Sequence, residues 1–314
     1  MELAGKSEEE LLQLALKDER MARELGKLLE DPSIEVKRKA INVFSKLGEE
    51  NPLLVEEAIP RLVELLEDRS TEVRQSAVFA LAQISESLPE ATKLGTERLI
   101  ELLKDDNLAI RRYASYALAV IGEEEPELVR GAVTILLESL ASDDDIIRAS
   151  AACSLALLAK GNAILVKDHV KEFIKALEDS NEVIGLNCAY IVGLIGNLDP
   201  KLVKEAIPIL IKLLDDCPSV EENAAHALAL IGTKDPEMIK DAVPRLLELL
   251  RSSREEIRAT SACALGATCH PDAIKSIKDL LSDCSLVNIY HPKGKVFTAT
   301  TVSEVAKEAV KKKD

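Results

Sequence analysis

Tryptophan is absent from the 314 residues, and tyrosine and phenylalanine number only four each. A core of large aromatics is thereby excluded, and Leu, Ile, Val and Ala must carry the burial. The six cysteines form no Cys-x-x-Cys, which leaves neither a disulfide nor a zinc framework and points to reduced cysteines acting as small apolar residues. None of the four histidines (His169, His226, His270, His291) is followed by Glu. There is no apolar run of transmembrane length, no leader pattern at the charged start Met1–Glu10, and no P-loop, dinucleotide or nucleophile-elbow motif. Basic residues are in deficit, 40 Lys and Arg against 55 Asp and Glu, for a net charge of −15. Nucleic-acid binding needs dense positive charge along the backbone contact, so this balance argues against it. The expectation is a cytoplasmic chain with no metal, no cofactor and no membrane contact.

What the chain does have is a period. A β-branched residue, usually followed by Arg or Lys, recurs at Val36, Val73, Ile110, Ile147, Ile184, Val220 and Ile257, with spacings of 37, 37, 37, 37, 36 and 37. Eleven places after each anchor stands Leu47, Ile84, Ile121, Leu158, Ile195, Ile231 or Thr268, and the next residue is small. Four places further comes Pro52, Pro89, Pro126, Ala163, Pro200 or Pro236. A unit of this size cannot bury its own apolar face and must stack on its neighbours.

Each unit divides into two helices. Helix A is expected to start at the Pro, whose missing N–H has no intrahelical partner in a first turn, with Asn51, Asp199 and Asp235 as N-caps. A second Pro at Pro60, Pro208 and Pro244 is expected to kink helix A rather than end it. Helix B is expected from just before the anchor to the small residue twelve places on, where Gly can close it. Offsets 0, +4, +7, +8 and +11 share one face, in the second unit Val73, Ala77, Ala80, Leu81 and Ile84. Offsets +4 and +9 are almost always small, Gly193 and Gly266 among them, so neighbouring helices can approach closely.

The pattern resembles the HEAT repeat over residues 8 to 282, in seven full units and a partial eighth. The resemblance includes an Asp six residues before the basic residue, in Asp31/Lys37, Asp68/Arg74 and Asp105/Arg111. It implies an all-α, right-handed α-α superhelix of about seven two-helix repeats, with these pairs as a polar ladder between successive repeats. Here the ladder breaks down: Ser142 precedes Arg148, Gly185 follows Asp179, Glu221 follows Asp215, and Ser252 precedes Arg258. Less regular stacking is therefore expected in the later repeats. After residue 282 the pattern departs. Residues 285–290 and 296–301 alternate like strands around the turn composition His291–Lys295, and Thr301–Glu304 has capping-box spacing ahead of a helix. The expected organisation is one continuous array, 1–282, and a β-hairpin-plus-helix cap, 283–314. The hairpin could serve only as a cap or also as a docking element.

In HEAT arrays helix B lines the concave surface, so the resemblance directs attention to its outward offsets. Offset +6 reads Asn42, Phe79, Tyr116, Cys153, Tyr190, His226 and Cys263. Offset +3 reads Lys39, Ser76, Tyr113, Ser150, Asn187, Asn223 and Thr260. Phe79, Tyr113, Tyr116 and Tyr190 are half of all the aromatics in the chain and are the expected anchors of a partner. Asn187, Asn223 and His226 are expected polar contacts, and Arg38 and Arg112 are expected to steer acidic groups. Packing of the +6 row against the next repeat remains open beside this. The first expectation for function is a non-enzymatic scaffold or adaptor holding a protein or peptide with acidic segments. The alternative is a HEAT-like enzyme or enzyme subunit of lyase or hydroxylase type. The resemblance supplies no catalytic residues for it, because the His-Glu pairs of HEAT-like deoxyhypusine hydroxylases and the Trp of HEAT-like DNA glycosylases are both missing.

Overall fold

The computed structural model describes residues 3–268, 271–290 and 297–311. His270, His291 and the expected turn at 291–295 lie outside the described residues. The chain separates into two compact units, Met1–Leu165 and Val166–Asp314.

The first unit opens with α1 (Glu8–Lys17) and carries the B helices α2 (Ile34–Glu50), α3 (Thr71–Ser87), α4 (Leu108–Glu124) and α5 (Asp145–Gly161). The second carries α6 (Glu182–Leu198), α7 (Pro218–Lys234) and α8 (Glu255–Thr268). From α2 to α7 each helix begins two residues before its anchor and ends fourteen after it. In α2 to α6 the start is set by a polar residue three places before the anchor, whereas α7 has Cys217 there, without a side-chain capping bond, and begins on Pro218. Asn107 and Asp144 each accept a hydrogen bond at 2.8 Å from the N–H two residues on, and Asn181 does so at 3.0 Å. Ser33 and Ser70 accept longer ones from Val36 and Val73. The end lies beyond the expected glycine. A Cβ on Gly48 would lie 2.7 Å from Ile84 Cγ1 of the next B helix, so this glycine makes room for a neighbour and does not close the helix. In the second repeat the face expected to be buried is buried, with Val73, Ala77, Ala80, Leu81 and Ile84 all at 0% exposure, whereas at offset 0 Val36 is half-buried and Ile147 is 44% exposed.

Helix A is not the continuous kinked helix expected. In the second repeat it consists of 3-10 turns at Pro52–Leu54 and Glu56–Ala58, an α segment at Ile59–Glu64 and a last 3-10 turn at Leu65–Glu67. Pro60, Pro208 and Pro244 sit in the first turn of their α segments, where a missing N–H costs nothing. Of the expected caps, Asp199 and Asp235 accept from Lys201 and Glu237 N–H, while the Asn51 side chain makes no capping bond.

The polar ladder has a definite geometry. Each aspartate closes its own turn by accepting an N–H two residues on, as Asp68 does from Ser70 at 2.8 Å. The basic residue of the preceding repeat then binds that carboxylate: Lys37 reaches Asp68 at 2.6 Å and Arg74 reaches Asp105 at 3.1 Å. Arg74 also donates to the Asp68 carbonyl of its own repeat. Where the aspartate is missing, Arg111 donates instead to Ser150 Oγ at 3.0 Å. Between the sixth and seventh repeats the rung is reversed in sign. Glu221 and Glu222 stand on the helix and Arg254 of the next repeat comes to them, at 3.1 Å from Glu222. The breaks at Ser142 and at Glu221 thus keep a polar contact between repeats with different chemistry, whereas Gly185 has no side chain with which to form a rung.

The C-terminal cap is built like an eighth repeat. After α9 (Pro271–Lys278), Asp283 closes a turn on the Ser285 N–H and receives Arg258 at 2.8 Å, as the ladder aspartates do. Strands β1 (Leu286–Tyr290) and β2 (Phe297–Thr301) then pair antiparallel, with Leu286 opposite Thr301. Helix α10 (Val302–Lys311) follows, opened by the expected capping box between Thr301 and Glu304. It packs on α8 and α9. Val302, Ala306 and Ala309 are buried at the spacing of offsets 0, +4 and +7. The Val302 N–H returns to the Ser285 carbonyl at 3.1 Å. The hairpin is therefore an insertion between the ladder turn and a B helix.

Hydrogen bonds from Arg258 hold the Asp283 carboxyl down at about 2, well below its ordinary 3.8. A depressed carboxyl stabilises the fold above its unfolded pKa, so this contribution is lost as the pH falls from about 4 to about 2. Asp283→Asn is expected to cost about 1–2 kcal/mol at neutral pH and to flatten that part of the stability–pH curve, measured by denaturant unfolding.

Candidate functional site

The nine expected site residues fall five in the first unit and four in the second. In the first unit, three of them border one cavity of about 420 Å³. Arg38 and Asn42 come from α2, Glu72, Gln75, Ser76 and Phe79 from α3, and Tyr113 from α4. These positions stand at offsets −1, +2, +3 and +6, the face that helical geometry turns away from the core. The Phe79 and Tyr113 rings meet edge to face, centroids 5.0 Å apart, and Phe79 remains 37% exposed. Arg38 is not an idle cation. It pairs with Glu72 at 2.9 Å and donates to Ser76 Oγ at 3.4 Å. Asn42 donates to Glu8 of α1 at 2.9 Å.

The other two residues of this unit stand apart from the cavity lining. Tyr116 is half-buried, and its hydroxyl donates to Glu86 of the preceding repeat. That bond and partial burial push its phenol up to about 12. Arg112 is exposed and has no ion-pair partner among the described residues. Of the cavity residues, Asn42, Glu72, Gln75 and Ser76 were not among the expected site residues. Their signal was present in the sequence as the polar residues beside Phe79 on the same helical face.

In the second unit Tyr190 and His226 stack nearly parallel, centroids 5.9 Å apart at 16°. Asn187 and Asn223 each donate to a carbonyl four residues back, Val183 at 2.7 Å and Ser219 at 2.9 Å. Their amides are thus partly committed to their own helices. Burial pushes the His226 imidazole down from 6.5 to about 4. Protons taken up by the unfolded chain alone weaken the fold, so stability is expected to fall as the pH drops from about 6.5 to about 4. His226→Gln should remove that slope in pH-dependent denaturant melts; an unchanged slope would place its cause elsewhere. Among the described residues no group of three or more His, Cys, Asp or Glu is placed to hold a metal ion. No helix among them is long and apolar enough to cross a membrane.

The model of the family described as HEAT repeats matches residues 22–94, 59–156 and 207–287. No curated protein matches the chain. Among solved structures, the crystal structure of an engineered protein from the Northeast Structural Genomics Consortium is 26% identical with a TM-score of 0.53, over 67% of this chain and 96% of that one. A chain of a Kap95:Nup1 complex is 14% identical with a TM-score of 0.64, over 84% of this chain but only 38% of that one, a likeness of fold alone. With paired helices, a 37-residue period and family matches across both units, this chain belongs to the HEAT-repeat family.

Proposed function

We propose that the chain is a non-enzymatic interaction scaffold, a cytoplasmic adaptor that holds a segment of a partner protein on the exposed face of its B helices. The observation that carries this reading is the cavity of about 420 Å³ in the first unit, where Phe79, Tyr113 and Arg38 come together. An aromatic ring left more than a third exposed beside polar side chains is the composition of an interface anchor. The stacked Tyr190 and His226 offer a second contact region in the other unit. Arg112, exposed at the start of α4, would steer acidic segments of the partner, whereas Arg38 already has Glu72 as counter-ion. One of the similar folds comes from an assembly of two proteins, Kap95 and Nup1, which is in keeping with this use.

The test is hydrogen exchange on the chain with a partner recovered from its native source and repurified. Protection should fall on the B helices, α3 and α4 foremost, and Phe79→Ala should weaken binding about tenfold or more. Protection confined to the A segments, with affinity indifferent to Phe79→Ala, would sink the proposal.

A further inference from the structure

The donors and acceptors around the cavity are fixed by the protein itself, and their pattern is specific. Asn107 caps α4 with its carbonyl oxygen, accepting from the Ala109 N–H at 2.8 Å. Its amide group must therefore be the side that faces Gln75, whose Oε1 accepts it at 3.4 Å. This leaves the Gln75 NH2 as the end not engaged by that bond. Asn42, on the neighbouring helix α2, spends its NH2 on a carboxylate, Glu8, at 2.9 Å, so its unspent end is the carbonyl oxygen. Two amide ends of fixed sense, the Gln75 donor and the Asn42 acceptor, thus stand in the lining beside the rotatable hydroxyls of Ser76 and Tyr113. Arg38 and Glu72 neutralise one another at 2.9 Å, so the lining carries no net charge. Phe79, in edge-to-face contact with Tyr113, supplies an apolar part of the lining.

A donor and an acceptor of fixed sense in a lining without net charge complement a peptide group, whose C=O accepts and whose N–H donates. A carboxylate or ammonium entering here would find no free counter-ion, because Arg38 and Glu72 already neutralise one another. We propose that this cavity binds an extended, uncharged stretch of a partner chain, with one peptide group held between Gln75 and Asn42 and an adjacent apolar side chain seated on Phe79. The proposal deepens the adaptor reading and rests on it; it also moves the recognition chemistry there from acidic groups to backbone and apolar contact.

The probe is a random dodecapeptide library displayed on phage and selected against the full chain, the enriched peptides then being synthesised and titrated by fluorescence anisotropy. Enriched peptides are expected to share an apolar residue in an uncharged stretch, with affinity insensitive to salt. Phe79→Ala should weaken them about tenfold, and Gln75→Leu several-fold, with both variants folded by circular dichroism. N-methylation along the bound peptide should abolish binding at the one amide that Asn42 accepts, a readout that loss of apolar contact alone would not give. Enrichment of acidic peptides that bind in a salt-sensitive way and fail on Arg38→Ala would overturn the assignment. Peptides that bind every variant equally would also overturn it while leaving the adaptor reading in place. Enrichment of nothing would overturn both for linear segments.

Discussion

Gly193→Ala is expected to destabilise the second unit by about 1–2 kcal/mol, although alanine is the better helix former. Two effects of opposite sign compete. Within a helix, replacing glycine by alanine ordinarily gains about 0.5–1 kcal/mol, because glycine loses more conformational freedom on folding. Here the new Cβ would lie 2.7 Å from Ala227 Cα and 3.0 Å from Ala227 Cβ on the facing helix α7. The nearest of these is backbone, so no side chain can rotate away, and α6 and α7 must separate along their length. Overpacking of this kind costs about 1–3 kcal/mol and outweighs the propensity gain. Gly131→Ala is the control: its Cβ would meet only Ile100 Cδ1 at an ordinary 3.7 Å, so it should be neutral or stabilising by about 0.5 kcal/mol. Because stacked repeats need not unfold as one, site-resolved hydrogen exchange in α6 and α7 is the appropriate measurement. Unchanged or increased protection there in Gly193→Ala would show that the helices have room to spare.

The 37-residue period carried the architecture because stacking repeats the same physical demand in every unit. The anchor is buried in five of the seven units, Val36 and Ile147 being the exceptions, and offset +9 must be small where the next helix passes, as Gly193 and Ala227 demonstrate. Breaks in the period were harder to interpret. The loss of Arg at Glu221 looked like a failed rung because a single position was followed, whereas charge complementarity is a property of the pair Glu222 and Arg254. Helix A was misjudged because proline removes an N–H in 3-10 and α segments alike, and composition does not tell the two apart. The site was half readable. Helical spacing put Phe79, Tyr113 and Arg38 on one face, but whether they enclose a cavity depends on the angles between helices, which no spacing encodes. Tyr116 stands at the same offset as Phe79, yet its hydroxyl is drawn to Glu86, a partner visible only once the helices are stacked.

The insertion at the C-terminal end leads to the second large effect. Replacing residues 286–301 by Thr-Glu, the pair that stands at the equivalent place as Thr71-Glu72, is expected to leave a folded protein of near-normal stability. The flanks already meet without the hairpin: the Val302 N–H bonds the Ser285 carbonyl at 3.1 Å, and the Ser303 N–H bonds the Asp283 carbonyl at 2.8 Å. In the other repeats two residues join the capping residue to the anchor, so the dipeptide restores the regular connection. Truncation after Asp283 should behave in the opposite way. It removes Val302, Val305, Ala306 and Ala309, all buried, and uncovers the face of α8 on which α10 rests. Burial of those side chains contributes several kcal/mol, on the order of 1–3 for each valine, and an uncovered repeat end invites aggregation. Thermal melts and size-exclusion chromatography separate the cases. A stable monomer from the hairpin replacement and an aggregating truncation would locate the capping in α10, freeing the hairpin for another task. Unfolding of both would make the hairpin itself part of the cap, and stability of both would mean that the last repeat needs no cover.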